Sequence, residues 1–263
     1  MTQEISPTPV APPPIWQPKW LISAHVVAII LMGSWLLPAT RPLWDALDTV
    51  VFRTLNGTLA WGSVWQGFWA IANWRPFDIL AGIVILMFLL HWFRSEPRSE
   101  LGGRLVAFLL FGVVVVTTKV VSFQTIVDIF DYHRPSPTWV FEDTLRLTQL
   151  VDWIKTKDAS GSSFPGDHAL VLVMTTFFFV IHGGRRLGSW AAVAFIPFVL
   201  PRLVGGAHWI TDILCGAIPL ALVGLSWWYA TPLYGRVSGF ICRTFPGVVT
   251  GAARWVGRMP GVR

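Results

Sequence analysis

Six apolar runs dominate this chain, each approaching the roughly 20 residues with which a helix crosses the hydrocarbon core of a bilayer. They are Trp20–Pro38, Pro76–Phe93, Leu105–Phe123, His168–His182, Ser189–Val204 and Trp209–Ala230. Inside lipid every backbone amide and carbonyl must be bonded within the protein, so runs of this length and spacing fold as helices. Only 13% of the residues are charged, about half the share in a soluble domain. The 16 tryptophans and 18 phenylalanines suit rings anchored at membrane–water interfaces. The sequence therefore predicts an all-α membrane protein with six transmembrane helices.

The basic residues orient that bundle. Arg94, Arg98 and Arg104 lie between the second and third runs, and Arg185 and Arg186 between the fourth and fifth, which puts both loops in the cytoplasm. Lys19 and the late arginines Arg236, Arg243, Arg254, Arg258 and Arg263 put both termini on that side as well. Residues 1–18, rich in proline, read as a disordered cytoplasmic leader, and residues 19–233 as the membrane domain. Residues 234–263 read as a basic interfacial tail whose glycines and two prolines make a poor helix. The net charge of +6 points to anionic lipid headgroups and not to nucleic acid. Cys215 and Cys242 have no zinc-ligand spacing and no disulfide framework around them. Two long connections, Ala39–Arg75 and Gln124–Asp167, then face outward, and both are expected to carry interfacial helices. In the first, Trp44 to Arg53 alternates apolar and charged residues at helical spacing.

Polar residues converge on that outer face in three groups: His133-Arg134-Pro135-Ser-Pro-Thr138, Ser162-Ser163-Phe-Pro165-Gly166-Asp167-His168, and Arg202-x5-His208-x3-Asp212. Ionisable groups at membrane helices are costly, so a cluster of them marks a function. His208 and Asp212 stand one helical turn apart, so the carboxylate can hold one imidazole nitrogen while the other faces a substrate. Alone, that pair is more often a capped helix start. Arg202, six residues earlier, shifts the balance toward phosphoryl chemistry, because guanidinium forks match phosphate oxygens, and Arg134 can serve in the same way. Pro165-Gly166 precedes an apolar run, so helix N-terminal amides at Gly166 can cradle an anion, and His168 can act as general acid. A carboxylate at Asp167 repels phosphate unless it is paired, so an N-cap role or an arginine partner is expected there. Lys157 is either a further phosphate contact or a solvated loop lysine. Arg75 and Asp78 either line the substrate entrance or form an interfacial salt bridge.

With these groups in order, the sequence resembles the type 2 phosphatidic acid phosphatase superfamily, whose blocks are Arg-Pro, Pro-Ser-Gly-His and Arg-x5-His-x3-Asp. The resemblance runs from about Trp20 to Leu233. It implies a six-helix fold and a phosphohistidine mechanism without metal or other cofactor. His208 would be the nucleophile, Asp212 its orienting partner, His168 the general acid, and Arg134 and Arg202 the phosphate clamps. Three positions depart from the pattern: the lysine seven before the first-block arginine is Val127, the second block reads Pro165-Gly166-Asp167-His168, and the residue before Arg202 is Pro201. The strings Ser136-Pro-Thr, Thr156-Lys-Asp-Ala-Ser, Ser163-Phe-Pro-Gly-Asp-His, Arg202 to Asp212, and Thr231-Pro-Leu look like the branch of lipid A phosphotransferases. That branch implies undecaprenyl diphosphate as donor and lipid A as acceptor, in a bacterial inner membrane with the active site facing the periplasm. A lipid phosphatase of the same superfamily is the alternative. A lipid transporter fits less well, because the polar residues sit at helix ends and not near the midplane.

Overall fold

The computed structural model describes residues 16–95 and 100–257. Residues 1–15 of the leader, together with Arg98, Arg258 and Arg263, lie outside the described residues. Helices α1 (Pro18–Leu36), α4 (Phe77–Arg94), α5 (Leu101–Phe123), α8 (Asp167–Val204) and α9 (Ile218–Tyr229) make up the bundle. A π-helical turn, Asp212–Ala217, leads into α9. Among the described residues there is no strand. An isolated antiparallel bridge joins Trp74 to Thr156 and ties the two long connections together.

Among the described residues, five helical stretches are long and apolar enough to cross a membrane: Pro18–Leu36, Phe77–Arg94, Leu101–Ser122, Asp167–Val204 and Asp212–Tyr229. Their large apolar side chains are widely exposed, Ile29 at 68%, Ile79 at 65% and Val116 at 60% among them. That is the reverse of a water-soluble surface and suits hydrocarbon surroundings. The sequence predicts six crossings. The difference lies in α8, whose 38 residues would extend about 57 Å if straight, close to twice the hydrocarbon thickness. Gly184, with φ 82° and ψ 168°, breaks it into two limbs. The two ends of α8, at His168 and Arg202, line the same cleft, so the limbs fold back on one another.

Gly188 permits the close approach of those limbs. A Cβ there would lie 3.0 Å from both the Cα and the amide nitrogen of Val180, and nearer still to the Val180 side chain. Backbone cannot yield as a side-chain tip can, so Gly188→Ala is expected to lower stability by about 1–3 kcal/mol. A thermal melt of the detergent-solubilised protein against wild type checks this.

The tail differs from expectation. Leu233–Thr244 forms α10 and Pro246–Gly257 forms α11. Tyr234, Ser238 and Cys242 recur every four residues and are buried, as are Val249 and Ala253. Tyr234, Cys242, Val249 and Ala253 join the main core with α5 residues Val106, Leu110 and Val114. Pro246 stands at the first helical position, where its missing N–H costs nothing. Packing of this kind outweighs the low helix propensity of the tail's glycines.

Both long connections contain helices. The first carries α2 (Arg41–Gly57) and α3 (Ser63–Ala72), the second a π-helical turn at Gln124–Ile129 and two four-residue turns, α6 (Pro137–Val140) and α7 (Leu147–Leu150). On α2 the apolar Leu43 and Val50 are exposed while Asp48, Phe52 and Asn56, at four-residue intervals, turn inward. A charged residue on the buried face of an otherwise exposed apolar helix leads directly to the site.

Candidate active site

The turn after α8 shapes the site. Ala207 and His208 both donate backbone hydrogen bonds to the Arg202 carbonyl, at 2.9 and 3.2 Å, folding His208 back beside Arg202. Gly206 makes that turn with φ +78°, and a Cβ there would meet Thr138 Cγ2 at 2.5 Å and Phe52 Cε2 at 2.8 Å, so only glycine fits.

His208 Nδ1 lies 3.2 Å from Asp212 Oδ2, the same oxygen that accepts the Trp209 amide at 2.9 Å. A carboxylate fixes Nδ1 as the protonated nitrogen, which leaves the Nε2 lone pair for a substrate. The other Asp212 oxygen accepts a 2.8 Å bond from Arg134 Nη1, which also donates to Thr211 Oγ1 at 2.8 Å. Arg134 Nη2 reaches Asp48 Oδ2 at 2.6 Å, and Asp48 in turn accepts from the Thr211 amide and hydroxyl. Asp48 and Asp212 are 1% and 0% exposed. A chain of bonds therefore runs from α2 through Arg134 to the imidazole.

In front of His208 lies a cleft of about 340 Å³ lined by Arg75, Asp78, Lys157, Asp167, His168 and Arg202. Arg202 Nη2 makes a forked pair with Asp78, 3.0 Å to each oxygen, and Nη1 donates to the Asn73 carbonyl at 3.2 Å. The Asn73 side chain donates back to the Pro201 carbonyl at 2.7 Å. His168 Nε2 makes no hydrogen bond among the described residues and lies 4.0 Å from Asp78 Oδ1. Asp167 pairs with Lys119 at 3.2 Å, and its other oxygen accepts the His168 amide at 2.7 Å. With both cleft carboxylates matched by Arg202 and Lys119, the exposed cations Arg75 and Lys157 give the cleft a positive balance suited to an anion.

The structure thus brings His208, Asp212, His168, Arg202, Asp167, Lys157 and Arg75 together, and sets three predicted residues elsewhere. Arg134, expected as a phosphate clamp, is not in the cleft wall; its terminal nitrogens are occupied by Asp48, Asp212 and Thr211. The Gly166 amide, expected in an anion cradle, donates to the Asp212 carbonyl at 3.3 Å. Ser163 is fully buried, is not part of the cleft lining, and donates its amide to the Arg134 carbonyl at 2.7 Å. Asp167 has a lysine partner and not an arginine, and Gly166, not Asp167, occupies the N-cap. Asp78 pairs with Arg202 and not with Arg75.

Sequence reasoning missed Asp48, Thr211, Asn73 and Lys119. Lys119 carried a signal, being the one charge in the run Leu105–Phe123. Asp48, spaced with Phe52 and Asn56, carried a weaker one.

Comparison with known proteins matches residues 105–236 to the family model described as the PAP2 superfamily. The lipid A 1-diphosphate synthase of Escherichia coli (strain K12) is 32% identical over 227 residues, covering 86% of this chain and 94% of that protein. The chain belongs to the PAP2 superfamily. No solved structure matches it. As a PAP2 member with several apolar helices it is a multi-pass membrane protein. The PAP2 match takes in Lys119, Arg134, His168, Arg202, His208 and Asp212 but ends short of α2 to α4, which supply Asp48, Asn73, Arg75 and Asp78 to the same site.

Proposed function

We propose that this protein is a membrane phosphotransferase that takes the distal phosphate of undecaprenyl diphosphate onto His208 and passes it to the 1-phosphate of lipid A. The observation that carries the chemistry is a histidine with one nitrogen held by Asp212 and the other left toward a cationic cleft. The choice of acceptor rests on the relative named lipid A 1-diphosphate synthase, similar along nearly its whole length.

In the first half-reaction the Nε2 lone pair attacks the distal phosphorus. The bond from phosphorus to the bridging oxygen breaks, and undecaprenyl phosphate leaves with a proton supplied by His168. Arg202, Lys157 and Arg75 offset the charge that spreads over the transferring oxygens, and Asp212 stabilises the charged ring. In the second half an oxygen of the lipid A 1-phosphate attacks the phosphohistidine. The nitrogen–phosphorus bond breaks, its electron pair returns to His208, the proton of the attacking phosphate passes to His168 to restore the acid, and lipid A 1-diphosphate is released. Arg134 is assigned a positioning role, holding Asp212 and Thr211 in place.

The same reading gives six crossings, with each limb of α8 spanning once, and an inner-membrane protein whose cleft opens to the periplasm. The arginines Arg94, Arg104, Arg185 and Arg186 lie at the helix ends opposite the cleft, which supports that orientation. The test is product analysis. Purified protein given undecaprenyl diphosphate radiolabelled in its distal phosphate, together with lipid A, is expected to yield labelled lipid A 1-diphosphate. Free labelled phosphate as the sole product would replace the transferase with a lipid phosphatase.

A further inference from the structure

A second cavity, of about 380 Å³, opens on the side of the bundle between the two limbs of α8 and the segment leading into α9. Its wall is formed by Leu172 and Phe177 on the first limb, Phe195 and Val199 on the second, and Ile210 and Ile213 beyond the turn. The single polar side chain in that wall, Thr176, donates its hydroxyl to the Leu172 carbonyl at 3.0 Å, so its methyl remains for the groove.

Helical spacing aligns this groove beneath the cleft. His168, Leu172 and Thr176 follow at four-residue intervals along one face of the first limb, and Arg202, Val199, Phe195 and Ala192 at three- and four-residue intervals along one face of the second. The top residue of each row, His168 and Arg202, lines the cleft, and the residues below line the groove. The segment leading into α9 does the same, with His208 in the cleft and Ile210 and Ile213 in the groove. Near Gly184 the limbs are pinched together by the Gly188 contact with Val180, so the groove closes at its lower end. Ala192 to Arg202 spans about 15 Å of helix rise, close to one leaflet of the hydrocarbon core.

We propose that this groove holds the hydrocarbon chain of a single-chain lipid phosphate, the polyprenyl donor, so that its headgroup enters the cleft at His208. This rests on the donor reading given above. A groove of about 380 Å³ suits a stretch of one chain better than the several acyl chains of the acceptor. Lipid tails are as apolar as leucine, so a chain moving from bilayer to groove gains little hydrophobic free energy. What the groove supplies is position, carried into the reaction as a larger kcat/KM.

The test compares donors of different chain length on two groove-filling variants, Ala192→Trp and Thr176→Trp, which enter from facing walls. Each is expected to lower kcat/KM for undecaprenyl diphosphate by about tenfold or more while geranyl diphosphate, too short to reach them, changes by less than about twofold. Equal losses for both donors, or no loss for either, would overturn the proposal, the latter leaving only bulk lipid in the groove. A binding measurement separates this from the catalytic reading. A photoreactive polyprenyl phosphate in vesicles is expected to label the segments containing Leu172–Phe177 and Ala192–Leu203, with less label in both variants. Labelling elsewhere overturns the groove whatever the enzyme does, whereas groove labelling by a protein that transfers no phosphate leaves the groove standing and removes the phosphotransferase.

Discussion

Alanine at His208 is expected to reduce turnover of lipid phosphate to background, a loss of about 10⁴–10⁶-fold, the range found when a covalent nucleophile is removed from a site that otherwise remains. The protein is expected to remain folded. Asp212 keeps its bonds from Arg134 and from the Trp209 amide when the imidazole is gone, so no buried carboxylate is left unpartnered. The cost in stability is then about 1 kcal/mol, that of one hydrogen bond and a small void. Phosphate transfer and a thermal melt, measured on the same preparation, check both parts. Near-normal turnover by the alanine variant would remove His208 from the mechanism.

Arg134→Met is expected to have the largest effect on stability. It leaves two carboxylates, Asp48 and Asp212, in the protein interior without the cation that faces both, and breaking a buried pair in this way costs about 3–5 kcal/mol. Arg134→Lys is expected to rescue only part, because one ammonium cannot present the two-nitrogen fork that reaches Asp48 on one side and Asp212 with Thr211 on the other. A dependence on pH identifies the cause. Burial holds the Asp48 carboxyl above its ordinary value, while Arg134 and the Thr211 hydrogen bonds oppose the rise. Without the guanidinium that opposition weakens, and the folded state favours a protonated carboxyl more strongly. A group whose folded value is raised stabilises at low pH and loses that contribution as the pH climbs through the folded value. The deficit of Arg134→Met against wild type is therefore expected to shrink as the pH falls. Denaturation profiles at neutral and mildly acidic pH check this, and a deficit unchanged with pH would assign the loss to packing.

These expectations also mark where the sequence stops being informative. The bundle was legible because hydropathy over a run of residues is a local property, and α1, α4, α5 and both limbs of α8 fall where the apolar runs put them. The two limbs of α8 are separated by a single non-helical glycine, Gly184. The tail was not legible, since its helices depend on burying Tyr234, Cys242 and Val249 against α5, which glycine content does not reveal. At the site, four-residue spacing paired His208 with Asp212 and their hydrogen bond is found, although His208 lies in the turn before the helix that begins at Ile210 and not on its face. The partners of Arg134 could not be read in this way. An arginine beside a predicted phosphate site looks like a clamp until Asp48, 86 residues away along the chain, is seen against it. Similarly, Asp167 looked awkward until Lys119 was found 48 residues earlier.

The covalent intermediate tests the central claim most directly. Purified protein mixed with undecaprenyl diphosphate radiolabelled in its distal phosphate, then quenched in alkaline denaturant before the acceptor is added, is expected to retain label that is stable to base and lost in acid. After digestion that label is expected in the peptide containing His208. Absence of protein-bound label while transfer proceeds, or label on a peptide without His208, would contradict the account.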